Sequence, residues 1–145
     1  MNKLRKFFQL PGAERAALLH AFTLLWAVRL ALWLLPFAAV QRWALTRPPA
    51  ARRGLPPPRL AWAITAAGRV VPRATCLTQA LAGQVLFAHH GHRSQLHLGV
   101  AGGAGRAFEA HAWLTCSGRP VLGAAEARRF KPLPAFEQPA PEAPQ

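Results

Sequence analysis

A chain of 145 residues suits one domain, and 18 Lys and Arg against five acidic residues give it a net charge of +13. Charge of this sign favours anionic partners, but no nucleic-acid-binding motif is present and the arginines are scattered, which excludes a nucleic-acid reader. Two cysteines, Cys76 and Cys116, make no disulfide framework and fit a reducing, cytoplasmic compartment.

In chain order, Leu10-Pro11-Gly12-Ala13-Glu14 marks a helix start, with proline ahead of the first turn and an acid at the positive dipole end. The residues from Ala16 to Leu35 are almost wholly apolar, and Pro36 ends or kinks the helix. The run is long enough to cross a bilayer core. Against spanning stand His20 and Arg29, because an arginine near the middle of a span costs about 2.5–3.5 kcal/mol. No small-x-small cleavage site follows, so a signal peptide fits poorly. A helix apolar nearly all round is buried in protein or in lipid. Two placements therefore stand: docking on the rest of the chain, or a peripheral membrane contact.

Residues 1–46 thus read as an N-terminal helical segment and 47–58, rich in proline and arginine, as a linker. Residues 59–134 hold the catalytic-looking remainder, small for a self-sufficient core, and 135–145 form a proline-rich tail too polar to pack.

Apolar positions 77, 80, 81, 85 and 86 match one helical face, with Thr75 as N-cap and Cys76 in the first turn. The helix stops at Gly91, after His89 and His90, whose positive potential suits its C-terminal end. Leu96–Val100 reads as a strand, Gly102–Gly105 as a hairpin turn, Phe108–Thr115 as a second strand and Arg119–Leu122 as a third. The class is α+β: a catalytic helix against an antiparallel sheet, as in transglutaminase-like and papain-like hydrolases.

Chemistry concentrates at Cys76 and at His111, which lies in the stretch Phe108-Glu109-Ala110-His111-Ala112-Trp113. The thiolate is the attacking species of a cysteine nucleophile, and helix starts and imidazole neighbours both favour that form. His89, His90 and His92 resemble a metal cluster, but no cysteine or carboxylate joins them, so a solvated helix end is the plainer reading and no metal is expected. His97 reads as a packing residue and Cys116 as core. Gln79 and Gln84 are weaker oxyanion donors than the backbone amides near Cys76.

The Cys76-Leu77-x-Gln79-Ala80-Leu81 helix start, Gly91-His92 before Leu98-Gly99-Val100, and the Phe108–Leu114 strand together resemble the lasso-peptide leader peptidases. These are the B2 proteins of lasso-peptide biosynthesis, within the transglutaminase-like superfamily. The opening Phe8-Gln9-Leu10-Pro11-x-x-Glu14-Arg15 and the close Arg128-Arg129-Phe130-Lys131-Pro132-Leu133 are similar to the same family.

The resemblance implies a cysteine peptidase that removes the leader of a precursor peptide before an asparagine-synthetase-like cyclase closes the ring. It implies a small leader-recognition protein as partner. No cofactor is expected on this chain, any ATP dependence belonging to the maturation complex. The family triad is cysteine, histidine and aspartate, yet this chain has Gly123 near the expected acid and no aspartate anywhere. Glu126 is the one acidic residue in that stretch and the candidate third member after Cys76 and His111; Glu109 and a backbone carbonyl are the alternatives. A non-catalytic scaffold of the same complex is the competing function.

Overall fold

The computed structural model describes residues 2–46, 48–51, 54–123, 125 and 128–133. Among them lie five helices, α1 (Lys3–Gln9), α2 (Gly12–Leu34), α3 (Phe37–Leu45), α4 (Pro57–Gly68) and α5 (Cys76–His89). Four strands follow, β1 (Gln95–Gly103), β2 (Arg106–Cys116), β3 (Arg119–Leu122) and β4 (Lys131–Pro132), in one antiparallel sheet of order β3-β2-β1-β4. The α+β class expected from the sequence is the class observed.

Prolines set the helix boundaries. Pro11 caps α2, and Pro36 both limits α2 and caps α3, as a residue with fixed φ and no N–H does at a helix start. Pro57 and Pro58 occupy the first turn of α4, so a helix begins inside the segment read as linker. Along α2, Ala17, Ala21, Leu24, Leu25 and Val28 are buried in one stripe, and the helix packs on α4 and α5. Burial against protein accounts for that face alone, since Leu19, Phe22, Trp26, Leu30 and Trp33 on the other side are exposed. At the foot of α2 the buried Glu14 carboxylate forms an ion pair with Arg59, which ties α2 to α4.

Helix α5 is the hub of the core. Thr75 Oγ1 accepts from the Thr78 amide at 3.2 Å, satisfying one of the orphan donors of the first turn. Residues from Ala80 to Ala88 are buried on every side, because α2, α3 and α4 pack on one flank and β1 and β2 on the other. The sheet alternates as a two-faced strand pair requires. Leu96, Ala112 and Leu114 join the core shared with α5, whereas His97 pairs with Trp113 and Gly99 with His111 on the opposite face.

The histidines at the end of α5 act on the backbone. His90 Nδ1 accepts from the Leu55 amide at 3.1 Å, and His92 Nε2 donates to the Leu55 carbonyl at 2.8 Å. The His89 ring lies 4.8 Å from that of His20 on α2. Among the described residues no group of three His, Cys, Asp or Glu side chains converges as a metal site would need. His20 and His90 titrate below the ordinary histidine value of 6.5, first because they are partly buried and second because neighbouring histidines repel their charged forms. A base whose folded value is depressed stays neutral in the native state while the unfolded chain takes up protons. Stability from this cluster is therefore complete above about pH 6.5 and falls as pH drops through the folded values. The urea midpoint is expected to be lower at pH 5 than at pH 7.5. Much of that difference should vanish in a His20→Gln/His90→Gln chain, and a pH-independent wild-type midpoint would contradict the assignment.

Candidate active site

Thr75 fixes where α5 begins and so holds Cys76 in its first turn, half-buried and free of disulfide. Gln79, one turn on, donates from Nε2 to the Ala74 carbonyl at 2.9 Å, bracing the chain just ahead of the cysteine. That bond engages the Gln79 amide in positioning.

On β2, His111 is 8% exposed. Its Nε2 lies 2.9 Å from the Gly123 carbonyl. A carbonyl only accepts, so Nε2 carries the hydrogen and the neutral ring keeps its lone pair on Nδ1. The ring stacks between neighbours: Phe130 at 5.0 Å and Trp113 at 6.0 Å between centroids, with His97 against the far side of Trp113 at 5.5 Å. His97 Nε2 also meets Thr115 Oγ1 at 2.9 Å. Gly99, opposite His111, makes the stack fit: a Cβ there would stand 2.9 Å from both the Trp113 ring and Phe130 Cβ.

Cys76, Gln79, His111, Gly123 and Phe130 line one open cleft of about 550 Å³. The structure thus brings Cys76 and His111 to a common space, without a direct thiol–imidazole hydrogen bond among the described contacts. Catalytic hydrogen bonds are often long before substrate binds and tighten in the complex.

Of the candidates for the third member, the described residues include Glu109 and the backbone carbonyls. Glu126 lies outside the described residues. Glu109 borders the cleft but is exposed, and its carboxylate meets Arg129 at 3.5 Å. The group in contact with the imidazole is the Gly123 carbonyl, at the position where the aspartate was expected. Gly123 has φ +71°, and a Cβ there would stand 2.9 Å from the Ala112 carbonyl and 3.2 Å from His111 Nε2. An aspartate cannot be placed on this backbone without moving the imidazole, so Gly123→Asp is expected to damage the site. Phe130 and Gly123 carry no signature that reveals these contacts from spacing alone. Cys116, at the end of β2, lies apart from the cleft and donates from Sγ to the Arg93 carbonyl at 3.3 Å.

Gly123→Ala has a matched control in Gly118, which has φ +77° and open space where its Cβ would go. Both substitutions carry the left-handed backbone penalty, but only the first presses on His111. Gly123→Ala is expected to lower kcat/KM by about tenfold or more through misplacement of the base, with Gly118→Ala near wild type. Equal kinetics for the two variants would separate Gly123 from the chemistry.

A cysteine at a helix start and a histidine on an adjoining sheet thus share one cleft. The chain matches the model of the transglutaminase-like superfamily over residues 16–135 and belongs to that superfamily. The superfamily includes cysteine peptidases. Comparison with curated proteins and with solved structures gives no match.

Proposed function

We propose that the chain is a cysteine peptidase that removes the leader from a ribosomally made lasso precursor peptide before a cyclase closes the ring. The observation that carries the peptidase reading is the shared cleft of Cys76 and His111, with Nδ1 left as the base by the Nε2 contact. The likeness of the Cys76, His92–Val100 and Phe108–Leu114 segments to leader peptidases supports the choice of substrate.

In this reading His111 Nδ1 takes the Cys76 proton, and the thiolate attacks the carbonyl carbon of the last leader residue. The first-turn amides of Cys76 and Leu77, which have no intrahelical acceptor, are the donors for the oxyanion. Collapse breaks the peptide bond as Nδ1–H protonates the departing core amine. Water, deprotonated by the same nitrogen, then cleaves the thioester and frees the leader carboxylate. The Gly123 carbonyl orients the ring but lacks the full charge with which a carboxylate stabilises imidazolium, so turnover should be slower than with an acid in that place. The leader-recognition protein delivers the substrate and the cyclase consumes the product.

Reconstitution with a lasso precursor peptide, a small leader-binding protein and a cyclase tests the proposal. Mass spectrometry should show free leader and ring-closed core. A second reading, a non-catalytic scaffold, draws on the missing acid and the absent thiol–imidazole bond. It predicts that Cys76→Ala supports maturation as well as wild type does.

A further inference from the structure

The outer face of α2 is unusual for a surface helix. Its exposed positions are Ala16, Leu19, Phe22, Thr23, Trp26, Ala27, Leu30, Trp33 and Leu34. Trp33 is 82% exposed, Leu34 63% and Leu30 55%. The one polar side chain among them, Thr23, turns its hydroxyl back to the Leu19 carbonyl at 3.0 Å. Apart from the indole N–H groups of Trp26 and Trp33, no hydrogen-bonding group remains on a face about 28 Å long at 1.5 Å rise per residue. A protein interface carries about one hydrogen bond per 100–200 Å² and a polar rim; this face offers only two indole donors, the groups that suit a membrane boundary.

The charge around it has one sign. Glu14 is the only acidic residue before Glu109, and it is buried against Arg59. Lys3, Arg5 and Lys6 stand exposed on α1 beside exposed Leu4 and Phe8. Arg29 lies over the Trp26 ring at 5.2 Å. Arg29 and Arg73, with Trp26, Leu30 and Trp33, line a groove of about 630 Å³. Guanidinium beside indole is the pairing found at the headgroup level of membranes, where aromatic rings straddle the boundary and cations meet lipid phosphate.

Length and hydropathy would let α2 span a bilayer, but its inner face is part of the core with α4 and α5. Spanning would strip that core. We infer that α2 lies in the plane of an anionic membrane surface, inserting its Leu19–Trp33 stripe among the acyl chains while α1, Arg29 and Arg73 bind lipid phosphates. The inference stands apart from the peptidase reading.

The test is co-sedimentation of the full chain with vesicles of phosphatidylcholine alone and of equal parts phosphatidylcholine and phosphatidylglycerol, with tryptophan emission recorded. Binding is expected to the anionic vesicles, with a blue shift, and to weaken at high salt. Lys3→Gln/Arg5→Gln/Lys6→Gln should lower partitioning by about fivefold per charge removed. Leu30→Glu/Trp33→Glu should lower it by about tenfold or more, with an unchanged melting temperature because both side chains are exposed. Absence of binding, equal binding to neutral vesicles, or binding indifferent to Leu30→Glu/Trp33→Glu overturns the inference. A concentration-dependent dimer abolished by the same pair, without vesicle binding, assigns the face to a second copy instead.

Discussion

Replacing Cys76 with alanine is expected to abolish cleavage of the cognate precursor while leaving the fold and partner binding intact. The side chain is half-buried at the mouth of the cleft, and alanine is a better helix former than cysteine, so α5 should lose little stability. The lost sulfur removes the covalent path, and a loss on the order of 10⁵ or more is the scale set by nucleophile knockouts in other hydrolases. Cys116→Ala serves as the contrast, since Cys116 lies outside the cleft and bonds the Arg93 carbonyl. An active Cys76→Ala enzyme alongside an inactive Cys116→Ala one would reverse the assignment. Precursor cleavage followed by mass spectrometry reads both.

His111→Ala should be nearly as damaging, because base and nucleophile act as one unit and neither works at full rate without the other. The neighbouring rings predict which substitutions spare activity. His97 contacts Trp113 and Thr115, away from Cys76, so His97→Asn should cost far less than His111→Asn. Glu109→Gln should also stay within about tenfold of wild type, because its carboxylate pairs with Arg129 rather than with the imidazole. Glu126→Gln is expected to behave the same way if the Gly123 carbonyl is the orienting group. A loss of several orders of magnitude in Glu126→Gln, with correct folding, would return that role to a carboxylate.

These expectations rest on elements that differ in how plainly the sequence announces them. Thr75 before Cys76, and His89-His90 before Gly91, mark both ends of α5 because caps are local and depend on side-chain type. The Phe108–Thr115 strand is legible from the Gly-rich turn before it and the Ser117-Gly118 turn after it, and β2 exceeds it by a few residues. Helix α4 is hidden because Pro56-Pro57-Pro58 looks like linker, yet proline is equally at home in a first helical turn. Periodicity alone finds one apolar face of α5, since a helix enclosed by three others and a sheet has no solvent face to create contrast.

The site divides in the same manner. Cys76 and His111 are visible as residue types in a recognisable context. The Gly123 contact is not, because a carbonyl is common to every residue and only the left-handed turn after β3 aims this one at Nε2. Phe130 reaches His111 through β4, a two-residue strand paired with β1. So short a pairing leaves no periodic trace. For α2, composition announces an apolar helix, but only the packing of Ala17, Ala21, Leu24 and Val28 separates the protein-facing side from the outward one.

Trapping the acyl-enzyme tests the central claim most directly. Wild-type protein mixed with the precursor and its recognition protein, quenched in acid during turnover, should carry the leader as a thioester, and peptide mapping should place it on Cys76. The same adduct should be absent from Cys76→Ala and accumulate only slowly in His111→Ala. Cleavage of the precursor by a Cys76→Ala enzyme, or a leader thioester on Cys116, would contradict the account.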